Sequence, residues 1–242
     1  TTDGAVSSSL VVLADGGRSP ATTMIGVNKK IKKYSEHALV GIVGVDRDHH
    51  GTAFERFTEH GPLALLPLVN QGFALAWTLP EHDAKEMTAL PTEEFLSLLQ
   101  DAFGDRAGFF TTCNQLTTYP LSQAKIESPV SDRCVAVGNA AHIVHPVAGQ
   151  GFNLGLRDIA CLSEDIANAT LENADIGETS FLQRYASNRR DQTRRVLRFT
   201  DGLLQLFANE LPGLRVARNI GLNLIEIIPP AKRFLLRRTV GI

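Results

Sequence analysis

The chain has 242 residues, of which 43% are hydrophobic and 21% are charged, with 24 Lys and Arg against 26 Asp and Glu. This composition excludes an intrinsically disordered chain and a collagen-like repeat, and the length provides ample sequence for a hydrophobic core. No apolar run approaches the roughly 18 residues that cross a bilayer. The three cysteines form neither a disulfide framework nor a zinc pattern, so we expect a reducing compartment and a cytoplasmic location.

The first half of the chain reads as a strand and then an antiparallel sheet. Residues 10–14 predict a buried strand that runs into the turn-forming residues Asp15 and Gly16. Short apolar runs then alternate with turn signals and predict four strands, at residues 38–45, 52–58, 63–68 and 73–78. The third run gives this sheet an apolar face, with Leu63, Leu65, Leu66 and Leu68. Trp77 on the last run is expected to pack in the core rather than to line a pocket.

A helix is predicted next, with Thr92 as its N-cap and with Phe95, Leu98, Leu99 and Phe103 on its inner face. Residues 109–119 predict a strand that ends at Pro120, and residues 133–137 predict a short buried strand. Helical spacing follows at residues 151–168, where Leu154, Ile159, Leu162 and Ile166 share one side. A long helix is predicted at residues 180–208, and Pro212 and Pro229 begin two short ones.

Charge is distributed unevenly along the chain. From Ser180 onward there are twelve Lys or Arg against four Asp or Glu, a net charge of +8, so the preceding residues carry −10. The basic residues fall on the segment from Arg184 to Arg198 and on the last residues of the chain, 214–242. This region is either an ordinary solvated surface or a surface that docks on an acidic partner or an anionic membrane. It lacks the motifs of a nucleic-acid-binding protein.

The stretch from Val135 to Asp158 carries the functional signal. It predicts a strand, a loop of small residues, and a helix that begins near Gly151. Glycines at positions 149 and 151 allow a ligand to approach the backbone, and a helix N-terminus offers unpaired N–H groups and partial positive charge. That combination suits a phosphate or another electron-rich group, although strand–turn–helix units of this kind also occur without a ligand.

The exact residue sequence of this stretch is more specific than the spacing of its glycines. It reads His145-Pro146-Val147-Ala148-Gly149-Gln150-Gly151-Phe152-Asn153-Leu154-Gly155-Leu156-Arg157-Asp158. This resembles the signature of the ubiquinone-biosynthesis hydroxylases, a branch of the flavin-dependent aromatic monooxygenases, and most closely the 2-polyprenyl-6-methoxyphenol hydroxylases. Asp15 and Gly16, followed by Ser19, resemble the second flavin motif of that family. Further similar stretches lie at residues 53–58, 61–64, 206–209 and 218–222.

The resemblance implies an α/β fold, with α+β character in this part of the chain. Residues 1–30 would be a remnant of a Rossmann-like FAD-binding domain, 31–130 an antiparallel substrate-binding sheet domain, 131–168 a second FAD-binding segment, and 169–242 a C-terminal helical region. The Gly-x-Gly-x-x-Gly turn that opens the family's sequences has no counterpart here. The resemblance therefore implies a C-terminal part of a longer enzyme that is inactive by itself.

The implied activity is hydroxylation of a polyprenylated phenol in ubiquinone biosynthesis. In that family NAD(P)H reduces FAD, and molecular oxygen then adds at flavin carbon 4a to form the hydroperoxide that transfers one oxygen atom to the ring. No side chain acts as a catalytic acid or base, because the cofactor carries the chemistry. Two alternatives stay open: a related flavoprotein that hydroxylates a small soluble aromatic, and a non-catalytic scaffold subunit of a ubiquinone-synthesis complex.

The family pattern also assigns residues of this chain to the flavin. The cofactor-binding set would be Asp15, Gly16, Gly138, Asn139 and Asp158, where Asn139 stands in place of the family's usual Asp. The set that positions the flavin ring would be Pro146, Gly149, Gln150, Gly151, Phe152 and Asn153. Asp158 is expected to brace the turn from behind. His142 and His145 lack a third ligand at suitable spacing, so we expect no metal site.

Overall fold

The structure is a computed structural model that describes residues 4–17, 20–27, 29–69, 72–144, 149–208, 228–230 and 233. The strands are β1 (Val11–Leu13), β2 (Lys29–Val45), β3 (Phe54–Phe57), β4 (Pro62–Pro67), β5 (Phe73–Pro80), β6 (Phe110–Ile126), β7 (Val130–Ser131), β8 (Cys134–Ala136) and β9 (His142–Ile143). The helices are α1 (Ala21–Met24), α2 (Glu81–Ala89), α3 (Thr92–Phe103), α4 (Gln150–Leu171) and α5 (Thr179–Ala208). Within the described residues, no helix has the length and apolar character needed to span a membrane.

The chain divides into two compact units. In their described parts, the first consists of residues up to Lys32 and of Ser122–Leu204, and the second of Lys33–Leu121. The mixed α/β character and the antiparallel sheet confirm the predicted fold class. The domain boundaries proposed from the sequence stay predictions.

The first unit is built on a three-stranded sheet in the order β1-β8-β7, with β1 parallel to β8 and β7 antiparallel to it. Helices α4 and α5 cover this sheet because each has one apolar side. Their shared core consists of Val135, Val137, Leu162, Ala169, Phe181, Leu182 and Tyr185. β9 pairs with the last residues of β6, which also belong to this unit.

The second unit is an antiparallel sheet in the order β3-β4-β5-β2-β6, packed against α2 and α3. Its core includes Leu39, Leu63, Leu65, Phe73, Trp77, Phe95 and Leu99, all at most 2% exposed. Gln100 anchors the end of α3: its amide nitrogen donates to the carbonyls of Gly104 and Gly108, and its amide oxygen accepts from the Phe110 N–H. The position of Trp77 confirms that it is a core residue.

Several predicted elements are confirmed with shifted ends. The four strands of the antiparallel sheet are present, and so are α3, α4 and α5. The strand predicted to stop at Pro120 instead runs to Ile126. Pro120 therefore lies inside β6, ahead of the two residues, Ala124 and Lys125, that pair with β9. Helix α2 was not predicted, since its sequence has little apolar periodicity.

Other predictions about side-chain burial are wrong. Val11 and Val12 are 43% and 44% exposed, so the first strand is not buried. Leu66 is half exposed because neighbouring residues of β4 point to opposite faces. Leu98 and Ile159 also face outward, one position away from the buried rows of α3 and α4. Thr92 is the first residue of α3 rather than its N-cap, which is Pro91.

The three cysteines are half-buried rather than fully enclosed. Several predicted features lie outside the described residues. They are the helix at Pro212, the motif residues Ser19, His145 and Pro146, and most of the basic C-terminal segment.

Candidate functional site

The candidate site lies where the chain leaves β8, turns, and enters α4. Gly138 opens a single turn of 3₁₀ helix with φ of +57°, and Gly149 precedes α4 with φ of +59°. Both glycines occupy the left-handed region that side chains resist, so the sequence at these positions is fixed by backbone geometry. Gly151 in the first turn of α4 has open space where a side chain would project. Backbone of the helix N-terminus is therefore accessible there.

The turn after β8 lies directly against α4. A Cβ atom at Gly155 would be 3.4 Å from the Cα atom of Gly138. Glycine at both positions allows this close approach of helix and turn. The contact brings the start of the turn next to Asp158, one helical turn further along α4.

Asp158 is the centre of a buried polar network. Its side chain is 3% exposed, and its Oδ2 atom accepts a hydrogen bond from the Gly138 N–H at 3.0 Å. The Nε2 atom of His142 lies 2.6 Å from the same oxygen, and it donates because an ionised carboxylate only accepts. One carboxylate oxygen thus ties the glycine turn and β9 to the helix.

Arg189 on α5 binds the second carboxylate oxygen. Its Nε atom donates to Asp158 Oδ1 at 2.7 Å, and one Nη atom donates to the Leu154 carbonyl at 3.3 Å. Its other Nη atom bonds Gln192. The Arg189 side chain is 3% exposed, so this is an ion pair removed from water. Tyr185, one turn earlier on α5, directs its hydroxyl group to the Asp158 carbonyl at 3.5 Å.

The electrostatics of the network favour an ionised Asp158. Burial by itself raises the pKa of this carboxyl group, but the bond from His142, the charge of Arg189 and the Gly138 N–H outweigh it. The pKa of Asp158 therefore lies below its ordinary value of 3.8. The pKa of Tyr185 is raised by burial and by the nearby Asp158 charge, so its hydroxyl group stays protonated.

His142 has one buried nitrogen without a partner. Among the residues that the structure describes, none forms a hydrogen bond with its Nδ1 atom, which is shielded from solvent. The four residues after Val144 are outside the described ranges, and they include Pro146 and His145. The described residues contain no cluster of His, Cys, Asp and Glu that could hold a metal ion. His142 instead bonds a carboxylate.

The parallel pairing of β1 and β8 brings two predicted motifs to one sheet edge. Leu13 pairs with Ala136, and the Val137 N–H donates to the Leu13 carbonyl at 3.0 Å. Asp15 and Gly138 each follow two residues after these partners, at the carboxyl ends of their strands. Asp15 closes its own turn by accepting from the Gly17 N–H at 2.8 Å. Ligands of α/β proteins commonly bind at such an edge.

The other predicted positions lie around this edge. Asn139 is exposed on the turn, and Gln150 is buried at the start of α4. Gly151 and Asn153 are half-buried, whereas Phe152 is 74% exposed. The bond from the Gly138 N–H to Asp158 directly links two predicted site residues.

Sequence reasoning missed the roles of His142, Tyr185 and Arg189. The spacing of residues along α5 contains a signal for Tyr185 and Arg189. Phe181, Tyr185 and Arg189 recur every four residues, which puts Arg189 on the buried side of the helix. A charged residue at an inward position requires a buried partner of opposite charge, and Asp158 supplies it.

Comparison with known protein families matches the part of the chain that contains this site. Residues 1–200 match the FAD binding domain family, so the chain belongs to that family. The matched range contains both glycine turns, Asp158 and Arg189.

Two similar proteins are named as a ubiquinone hydroxylase and a ubiquinone biosynthesis monooxygenase. The ubiquinone hydroxylase UbiL of Rhodospirillum rubrum is 36% identical over 232 residues, which cover 96% of this chain and 54% of UbiL. The human mitochondrial ubiquinone biosynthesis monooxygenase COQ6 is 27% identical over 261 residues, 94% of this chain and 56% of COQ6. The chain thus spans about half the length of the curated relatives it matches.

Solved structures agree on the fold. The p-nitrophenol 4-monooxygenase PnpA of Pseudomonas putida superposes with a TM-score of 0.72 at 19% identity, covering 96% of this chain and 59% of PnpA. The Diels-Alderase PyrE3 also reaches a TM-score of 0.72 at 19% identity, covering 99% of this chain and 51% of PyrE3. At this level of identity the similarity concerns architecture.

The network predicts a large penalty for removing Arg189. We expect Arg189→Met to lower the free energy of unfolding of the first unit by about 3–5 kcal/mol, because it leaves Asp158 buried without its ion-pair partner. Denaturant titration followed by circular dichroism at 222 nm is dominated by the two longest helices, α4 and α5, while Trp77 fluorescence reports the second unit separately. Arg133→Met, in an exposed ion pair with Asp175, is the control and is expected to cost far less.

This penalty should depend on pH with a definite sign. The pKa of Asp158 is lower in the folded protein than in the unfolded chain, so its stabilising contribution is present above about pH 4 and is lost as the pH falls through the folded value. We expect the Arg189→Met penalty to shrink below pH 4. A penalty that stays constant down to pH 2 would contradict the assignment of an ionised, Arg-paired Asp158.

Proposed function

We propose that this chain is part of an FAD-dependent monooxygenase that hydroxylates the aromatic ring of a polyprenylated phenol in ubiquinone biosynthesis. The observation that carries the proposal is the strand–turn–helix unit after β8, whose backbone is open at Gly151 and whose turn is fixed by Asp158. Membership of the FAD binding domain family supports the cofactor, and the names of the relatives support the substrate class.

The residues at the turn fit a flavin. Gly149 and Gly151 leave the first turn of α4 without side chains that would block a planar ring, and the helix N-terminus directs N–H groups outward. His142 Nδ1 is a buried polar atom next to this turn without a partner among the described residues. Gly149, Gln150, Gly151, Phe152 and Asn153 would hold the ring, and Asp15, Gly16, Gly138 and Asn139 would hold the rest of the cofactor.

When bound, FAD would supply the redox chemistry, in which the phenol, NAD(P)H, a proton and molecular oxygen give the hydroxylated product, NAD(P)⁺ and water. The protein contributes position and charge. With the flavin bound, N–H groups of Gly151, Phe152 and Asn153, together with the dipole of α4, would stabilise negative charge at the ring. Asp158 keeps the Gly138 turn in place, since its carboxylate accepts the Gly138 N–H and is itself fixed by His142 and Arg189.

The open backbone at Gly151 predicts a selective effect of a small side chain. We expect Gly151→Ala to weaken flavin binding by roughly tenfold, about 1.4 kcal/mol, because a methyl group would lie between helix and ring. The thermal midpoint should stay equal or rise, since alanine favours a helix over glycine. The measurement is flavin fluorescence titration of the protein that carries this chain, beside its thermal unfolding curve.

Gly202→Ala is the matched control, because Gly202 also lies in a helix and also has open space around its Cα atom. It should leave flavin affinity unchanged. If Gly151→Ala binds flavin as tightly as the unchanged protein, the first turn of α4 does not contact the ring. If the unchanged protein cannot be loaded with flavin at all, the scaffold alternative gains support.

The proposed substrate class is tested in cells. Deletion of the gene should abolish ubiquinone and cause accumulation of 2-polyprenyl-6-methoxyphenol or a related polyprenyl phenol, measured by mass spectrometry of lipid extracts. Restoring the gene should return the normal profile, and the Gly151→Ala variant should restore it less well than Gly202→Ala. A normal ubiquinone profile in the deletion strain would remove this substrate and favour a small soluble aromatic.

We also propose that the protein docks peripherally on the inner membrane, where a polyprenyl substrate resides. The support is the exposed face of α5 that contains Arg184 and Arg195, on which the guanidinium group of Arg184 lies over the Phe181 ring. Arg184 and Arg195 are eleven residues apart, which is about three helical turns, so they share one side of the helix. A basic face attracts anionic lipid headgroups.

This docking predicts flotation with vesicles that contain anionic lipid. The double variant Arg184→Glu and Arg195→Glu should lose most of this binding, because the electrostatic attraction becomes repulsion. Arg190→Glu with Arg194→Glu, on another side of α5, is the charge-matched control. Equal flotation of all three proteins, or equal loss in both variants, would contradict docking through the Arg184 face.

A further inference from the structure

A cavity of about 330 Å³ lies in the first unit beside α5. Its volume is at the lower end of the range of small-molecule sites. Its apolar walls are Ile126, Pro129, Ala136 and Ala141. Its polar walls include Arg189, Arg190, Thr193 and Arg194 from α5. Arg190, Thr193 and Arg194 lie outside the set of residues that would hold the flavin.

The charges around the cavity do not balance. Asp158 lines it but is bound to Arg189, and Glu127 lines it but is paired with Lys30. Arg190 and Arg194 are both exposed, and neither has a carboxylate partner among the residues that the structure describes. They are one helical turn apart, a spacing at which like charges repel each other. An anion between them would relieve that repulsion.

The groups present define the chemistry of an occupant. Guanidinium groups bind the oxygens of a carboxylate or phosphate in pairs, and Thr193 adds a hydroxyl donor from the same stretch of α5. The apolar walls favour a hydrocarbon or aromatic body next to the anionic group. We propose that this cavity binds a small organic anion, such as an aryl phosphate or aryl carboxylate, with its charged group on Arg190 and Arg194.

The location gives this site a path to the turn after β8. His142, Asp158 and Arg189 line the same cavity, and Asp158 accepts the hydrogen bond from the Gly138 N–H. An occupant therefore contacts the network that fixes that turn. Binding of the anion itself does not depend on the proposed monooxygenase function, and it is measured without flavin or substrate turnover.

Phenyl phosphate is the probe, and isothermal titration calorimetry gives its dissociation constant. We expect the protein to bind phenyl phosphate more tightly than inorganic phosphate, because only the former fills the apolar part of the cavity. The double variant Arg190→Gln and Arg194→Gln should bind phenyl phosphate about tenfold or more weakly, since two charged donors are lost. Both arginines are exposed, so circular dichroism should show an unchanged fold.

The double variant Arg184→Gln and Arg195→Gln removes the same charge from the same helix without touching the cavity, and it should bind within twofold of the unchanged protein. An equal loss in both variants would reduce the effect to general attraction by a basic helix and overturn the proposal. Equal affinity for phenyl phosphate and inorganic phosphate would overturn the apolar part of the site. Absence of binding to the unchanged protein would overturn the site altogether.

Discussion

The first unit depends on a carboxylate that folding removes from water. Asp158 is 2% exposed, and desolvation of an ionised group costs several kcal/mol unless other groups replace the lost water. Three groups do so here: the Gly138 N–H, His142 Nε2 and the Arg189 guanidinium. These partners come from the turn after β8, from β9 and from α5. A single buried charge therefore requires four separate parts of the chain to lie at fixed positions.

The same requirement explains the glycines around the site. A carboxylate on α4 reaches the Gly138 N–H only if helix and turn approach closely, and Gly155 permits that approach because it has no side chain. Gly138 and Gly149 then supply the left-handed backbone conformation with which the chain turns sharply after β8 and again before α4. The backbone at the start of α4 is left open on its outer side. A site for a planar cofactor needs a turn that buried contacts hold in place and a backbone that is open on its outer side.

Helix α5 has three different surfaces. Its inner side contributes Tyr185 and Arg189 to the buried network, a second side carries Arg190 and Arg194 along the cavity, and a third carries Arg184 and Arg195. Net charge along the sequence does not distinguish these surfaces. The net charge of +8 in the last quarter of the chain therefore includes Arg189, which forms a buried ion pair, and other arginines that lie on exposed sides of α5.

The sequence by itself determined the antiparallel strands, the two long helices and the glycine-rich turn before the first of these helices, because these follow from local periodicity and local backbone constraints. The fold class came from the resemblance of its motifs to a known family. The sequence determined the buried side of α4 only in part, since Leu154 and Leu162 are buried as predicted but Ile159 is not. Hydropathy assigned Ile159 to the inside, whereas the structure buries Asp158 and exposes Ile159. Only the tertiary structure could decide this, since the burial of Asp158 depends on Arg189 and His142, which are 31 and 16 residues away in the chain. A charge is stable inside a protein only when distant groups meet it, and local sequence does not contain that information.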